Sequence, residues 1–147
     1  MPYIERFNGN ICVKNQEYTR ALKHYSKALF GLKMIFDGNK AEFLQSRQDA
    51  VKYIAEIEIP TCLNLTFCYL KTGEWHYAIK YSTQVIENDP DNVKAYYRRG
   101  VAYTKIGEVA KAKENLAIAL DLTQDPGEKS AIQRAFYDIK ELNELNR

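Results

Sequence analysis

The chain matches itself at a shift of 34 positions, residue 70 onto residue 104. Leu70-Lys71-Thr72-Gly73-Glu74 falls on Thr104-Lys105-Ile106-Gly107-Glu108, Tyr69 on Tyr103, Ala78 on Ala112 and Asp91 on Asp125. A fixed period of this length describes one small unit stacked on copies of itself, because a single unit cannot bury its own apolar face. Two such units run over about residues 59–92 and 93–126.

Each unit reads as two antiparallel helices, A and B. Small residues fall where the helices must touch: Gly100 on one A helix, with Thr66 at the same place in the unit before it, and Ala78 and Ala112 on the B helices. Larger residues, Tyr69, Tyr103, Tyr81 and Leu116, fill the space between. Gly73 and Gly107 sit where an A helix must end in the left-handed conformation that glycine accepts without strain. Pro90 ends a B helix, and Asp89 and Asp91 are expected to supply the turn and the cap of the next.

A degenerate first unit precedes these, over about residues 2–35. Gly9 takes the small A-helix place, Ala21 the small B-helix place, and Tyr25 and Ala28 the packing places that follow, while Asn15-Gln16 stands where the later units carry glycine. This unit begins 57 residues before the second (59 − 2), which is 23 more than the period. The extra residues lie within about 32–58. Leu32, Ile35 and Phe36 continue one helical stripe, Asp37-Gly38-Asn39 is a turn, and Phe43, Leu44, Ala50, Val51, Tyr53, Ile54 and Ile57 resume the spacing up to Pro60. The pattern predicts a lengthened first B helix and a lengthened second A helix joined at Gly38, with Pro60 kinking the latter. After Pro126-Gly127, the residues Ile132, Ala135, Phe136, Ile139, Leu142 and Leu145 form one apolar stripe over about 128–147, the mark of a terminal capping helix. Seven helices are predicted in a single domain over 1–147.

The period and its small-residue places resemble the tetratricopeptide repeat. That resemblance implies an all-α solenoid of three helix-turn-helix repeats, the first lengthened, closed by the capping helix. Composition agrees. With 7 Gly and 4 Pro in 147 residues, turn chemistry is too sparse for a sandwich or barrel of short strands. A net charge of +2 from 21 basic and 19 acidic residues does not suit a nucleic-acid or membrane-surface binder. No apolar run approaches the roughly 20 residues of a membrane span. Cys12, Cys62 and Cys68 form no C-x-x-C pair, and with only His24 and His76 there is no zinc spacing. Three lone cysteines fit a reduced, cytoplasmic setting. No nucleophile, phosphate-loop or zincin motif is present, so no catalytic residue, metal or cofactor is expected.

In repeats of this type the A helices line a groove. On the groove side of the first lie Arg6 and Asn10, four apart and hence on one face. On the second lies Asn64, and on the third Lys94 and Arg98, again four apart. Three cations and two amides suit carboxylates, since charge-assisted hydrogen bonds are roughly twice as strong as neutral ones. A chain end in Asp offers two carboxylates close together. Phe67 is placed to meet an apolar side chain of the same ligand. Trp75 reads as packing, His24 and His76 lie on B helices away from the groove, and the cysteines read as small hydrophobes.

This set resembles the carboxylate clamp of heat-shock chaperone cofactors, and the long first hairpin resembles the immunophilin branch: FKBP-type and cyclophilin-type isomerases and aryl-hydrocarbon-receptor-interacting relatives. In that family the basic residue and Asn of the first A helix, the Asn of the second and the Lys and Arg of the third correspond to Arg6, Asn10, Asn64, Lys94 and Arg98. Arg6 departs from the usual Lys: the charge is kept, but a forked donor seats differently. The resemblance implies a co-chaperone module that binds the C-terminal Glu-Glu-Val-Asp of heat-shock protein 90 or 70. It also implies that any isomerase activity would reside in a separate catalytic domain. The alternative is a repeat scaffold that uses its groove or outer face for an unrelated peptide.

Overall fold

The computed structural model describes residues 2–37 and 47–145, and side chains over 2–36 and 49–142. The described residues are helices and the short turns between them, with no strand among them. Seven helices follow in order: α1 (Pro2–Lys14), α2 (Tyr18–Asp37), α3, α4 (Trp75–Asn88), α5 (Val93–Lys105), α6 (Val109–Leu122) and α7 (Pro126–Leu145). α3 is one continuous run in three parts, Arg47–Tyr53, a π turn over Ile54–Glu58, and Ile59–Thr72. The all-α repeat class read from the sequence is the class observed. Gly38, the expected hairpin turn, lies outside the described residues, as do Phe43 and Leu44.

The chain divides into two compact units, Met1–Glu74 and Trp75–Arg147. In the first, α1 packs on α2 and α2 on α3. The seam is the stripe Ala21, Tyr25, Ala28 and Leu32, each at most 2% exposed, on the i, i+4, i+7 spacing of one helix face. Gly9 is required there: a Cβ on it would stand 2.5 to 2.9 Å from three ring atoms of Tyr25. Ile57, Cys62, Leu65 and Cys68 of α3 complete the core. Pro60 does not break α3. A proline cannot donate its own hydrogen bond, and its ring crowds the carbonyl four residues back. The preceding turn widens instead, so that the Ile59 N–H donates to the Ile54 carbonyl five residues back.

In the second unit, Ala112, Leu116, Ala119, Ile132, Ala135 and Ile139 form a core cluster, with Tyr96, Tyr97, Tyr103 and Phe136 against it. Three of the six come from α7, whose stripe therefore packs onto α6. Here Gly100 is the required small residue: a Cβ on it would lie 2.9 Å from Leu116 Cγ and 3.3 Å from the Ala112 carbonyl. Full burial of a side chain like Leu116 contributes about 1.5–3 kcal/mol.

The helix ends follow their residues. Gly73 (φ 76°) and Gly107 (φ 82°) are left-handed, and Gln16 (φ 59°) takes that conformation in the first hairpin, where no glycine is available. The cap of α5 differs from expectation. Asn92, not Asp91, is the N-cap: its Oδ1 accepts from the Ala95 N–H at 3.0 Å. Asp89 supports it, accepting from Asn92 Nδ2 at 3.1 Å. Asn92 holds the residue position just before the helix, which a side chain must occupy to reach the free N–H groups. At α7, Asp125 Oδ1 accepts from the Gly127 N–H (2.7 Å) and the Glu128 N–H (3.2 Å).

Candidate peptide-binding site

α1 and α3 bring the first three candidate residues together within the first unit. Asn10 on α1 and Asn64 on α3 are joined directly, Asn64 Nδ2 donating to Asn10 Oδ1 at 3.1 Å. The same oxygen accepts from the Tyr25 hydroxyl at 2.6 Å. With its oxygen doubly engaged, Asn10 keeps its two Nδ2 hydrogens for another acceptor. Arg6 lies one turn before Asn10 on α1, and its buried Nε has no hydrogen-bond acceptor among the described residues. A buried cationic donor without an acceptor is costly.

Glu5, next to Arg6, is turned away: its carboxylate pairs with His24 Nδ1 at 2.8 Å on the α2 side. That hydrogen bond, helped by the Lys27 charge and opposed by burial, holds the Glu5 carboxyl below its ordinary value. The pairing takes up the acidic group that sequence places beside the Arg6 guanidinium. Phe67 is half-buried on α3. Tyr18 meets it edge-on with ring centres 5.9 Å apart, and Lys71 Nζ sits 5.4 Å from its ring centre. Phe67 is therefore a packed, half-buried residue.

Lys94 and Arg98 lie on α5 in the second unit. Lys94 is exposed and Arg98 half-buried with contacts of its own. Neighbouring Arg99 has a structural job: Nε donates to Asn115 Oδ1 at 2.7 Å, Nη1 to Thr83 Oγ1 at 3.2 Å, and its guanidinium lies over Tyr96. Arg99 thus ties α5 to α4 and α6.

Tyr25 is the site residue that sequence reasoning missed, having been read as packing alone. Its signal was in the repeat. Tyr25 follows Gly9 by sixteen residues (25 − 9), and Leu116 follows Gly100 by the same sixteen (116 − 100). A tyrosine where the last unit carries leucine adds a hydroxyl at the end of an otherwise equivalent contact. Burial pushes its phenol well above the ordinary value, against the opposing influence of the Asn64 amide and the Arg6 charge. Tyr3, also on α1, ties that helix to α3. Its hydroxyl donates to Glu56 at 2.8 Å, which with burial raises its pKa to about 12. Among the described residues no group of three His, Cys, Asp or Glu side chains is placed to hold a metal, and no described helix is long and apolar enough to cross a membrane.

Two family models described as tetratricopeptide repeat match residues 63–92 and 81–114. The peptidyl-prolyl cis-trans isomerase PASTICCINO1 of Arabidopsis thaliana is 30% identical over 122 residues, 82% of this chain and 18% of that protein. The Hsp70-Hsp90 organizing protein of Triticum aestivum is 27% identical over 143 residues, 97% of this chain and 20% of that protein. The chain thus spans a fifth or less of these relatives' length. Among solved structures, the C-terminal TPR-containing domain of a Plasmodium falciparum FK506-binding protein matches with a TM-score of 0.76 and 28% identity, covering 97% of this chain and 91% of that one. The second TPR of Spaghetti (RPAP3), bound to the HSP90 peptide SRMEEVD, matches with a TM-score of 0.63 and 25% identity over 83% of this chain and 92% of that one. The chain is built of tetratricopeptide repeats, an interaction fold, and its relatives include an immunophilin-like isomerase and an Hsp70–Hsp90 organizing protein.

Proposed function

We propose that the chain is a co-chaperone interaction module of the cytoplasm that binds the C-terminal Glu-Glu-Val-Asp peptide of heat-shock protein 90 or 70. Its clamp consists of Arg6, Asn10, Asn64, Lys94 and Arg98. The observation that carries this reading is the first-unit cluster: an Asn10 amide whose oxygen is held by Tyr25 and Asn64, leaving its NH₂ as donor, beside an arginine whose buried Nε has no acceptor among the described residues. Such a cluster is short of acceptors, and a terminal carboxylate brings acceptors only. Arg98 enters by repeat register, one 34-residue period after Asn64 (98 − 64), and Lys94 lies one turn before it on α5. The RPAP3 structure supports the ligand class, because its bound peptide, SRMEEVD, ends in the same four residues. Phe67 is assigned to an apolar side chain of the peptide.

The likeness to PASTICCINO1 and to an FK506-binding protein favours a second, compatible reading: this region delivers a separate isomerase domain to a chaperone. The chain itself supplies binding and no chemistry. The test is peptide affinity paired with melting temperature for Lys94→Glu. Loss of binding in a protein that melts normally supports the clamp. Normal binding, or loss that comes only with unfolding, overturns it.

A further inference from the structure

We propose that Tyr25 is a positioning residue that fixes Asn10 as a hydrogen-bond donor, and thereby makes the site prefer a terminal carboxylate over a terminal carboxamide. The inference rests on the clamp reading above and adds to it a cause for end-group selectivity. An asparagine amide is nearly symmetric in shape. Turned half-way about its last bond, it presents an oxygen where it had presented an NH₂. A ligand-facing amide that is free to turn can greet a carboxylate with hydrogens or a carboxamide with its oxygen. Selectivity requires that one orientation be held.

Three features hold it here. The Tyr25 ring is fully buried and is pressed by Gly9, whose missing Cβ leaves the space that the ring fills. The hydroxyl therefore has a fixed address. Its proton goes to Asn10 Oδ1 at 2.6 Å, and burial keeps that phenol protonated across the physiological range. The Asn64 amide also donates to Asn10 Oδ1, at 3.1 Å. Asn10 Oδ1 thus accepts from two donors at once, which leaves Asn10 Nδ2 as the group offered to a ligand. Reversing Asn10 would set its NH₂ against the Asn64 NH₂, donor against donor, and would break the bond that its oxygen accepts from the Tyr25 hydroxyl.

The first unit's Tyr25 and the last unit's Leu116 occupy the same repeat place. The leucine fills volume beside Gly100, and the tyrosine fills volume beside Gly9 and reaches one group further. Tyr25→Phe keeps the first function and deletes the second.

The test measures affinity for the free-acid peptide Met-Glu-Glu-Val-Asp and for its C-terminal amide in the unaltered protein, Tyr25→Phe, Asn10→Ala and the double variant. Side-chain amide relaxation of Asn10 is followed by NMR in the unaltered protein and in Tyr25→Phe. Tyr25→Phe is expected to lower the acid-to-amide affinity ratio about 3- to 10-fold, the scale of one buried hydrogen bond, to leave the ratio of Asn10→Ala unchanged, and to loosen the Asn10 amide. An unchanged ratio in Tyr25→Phe, or the same loss in both backgrounds, overturns the proposal, since a merely structural tyrosine would act equally on both. If the unaltered protein shows no preference for the acid, the clamp reading fails. The Asn10 relaxation then decides the positioning claim, and an amide equally rigid in Tyr25→Phe overturns it. If Tyr25→Phe does not fold, the unaltered protein must show a slowly exchanging Tyr25 hydroxyl proton close to Asn10, and its absence has the same consequence.

Discussion

Gly100 on α5 and Leu116 on α6 approach until a Cβ on the glycine would stand 2.9 Å from Leu116 Cγ, with the Ala112 carbonyl at 3.3 Å behind it. Leu116 is fully buried and the carbonyl is helix backbone, so neither can yield cheaply. Gly100→Val should therefore destabilise the protein by about 1–3 kcal/mol, the usual cost of overpacking. Denaturant unfolding measures it, and an unchanged midpoint would show that the α5–α6 seam is looser than described.

The three cysteines sit in the first unit's core, with Cys62 and Cys68 fully buried and Cys12 7% exposed. Burial, with Glu58 nearby, pushes the Cys62 thiol up to about 12. The thiolate is the reactive species. At pH 8 the native protein should react with a thiol reagent far more slowly than the unfolded chain, which should titrate all three. Rapid native labelling would contradict the packing of α1 on α2 and α2 on α3.

The Glu5–His24 pair gives the stability a pH signature. Hydrogen bonding by His24 first, then the Lys27 charge, lowers the Glu5 carboxyl below its ordinary value of 4.5. A lowered folded pKa means that the contribution is fully present above the unfolded value and lost as pH falls through the folded one. Glu5→Gln should melt below the unaltered protein at pH 6, and the gap should close as pH drops below about 4.5. A gap that persists at pH 3 would assign the effect of Glu5 to packing.

The clamp residues should act on binding and spare the fold. Lys94→Ala and Arg98→Ala should each cost about 1.5–3 kcal/mol of peptide binding, the range for hydrogen bonds to charged groups. Exposed Lys94 should leave stability within about ±0.5 kcal/mol. Asn64→Ala should cost binding and stability together, since its amide also ties α3 to α1. Lys23, exposed on α2, is the control: Lys23→Ala should change neither.

Much of this was legible along the chain because the repeat writes its geometry into spacing. Gly73 and Gly107, one period apart, take the left-handed turns expected of them. The 3–4 spacing from Ile132 to Ile139 buries against α6 as its stripe requires. Other features were not legible, for physical reasons. Pro60 signalled a kink, but the choice between bending and widening to a π turn depends on what packs around α3. Asn92 and Asp91 are both good caps, and one residue of register separates them. The Tyr25–Asn10–Asn64 network joins residues 15 and 54 positions apart, a distance at which pattern reveals shared faces but not hydrogen bonds. His24 shows the same limit, since its pairing with Glu5 spans a hairpin.

The most direct measurement of the central claim is isothermal titration of the protein with free-acid Met-Glu-Glu-Val-Asp beside the same peptide carrying a C-terminal amide. The account predicts micromolar binding of the acid, about −8 kcal/mol, weakening as salt is raised because the contacts are ionic and partly exposed, with most of the affinity lost on amidation. Equal affinity for the two peptides would contradict it.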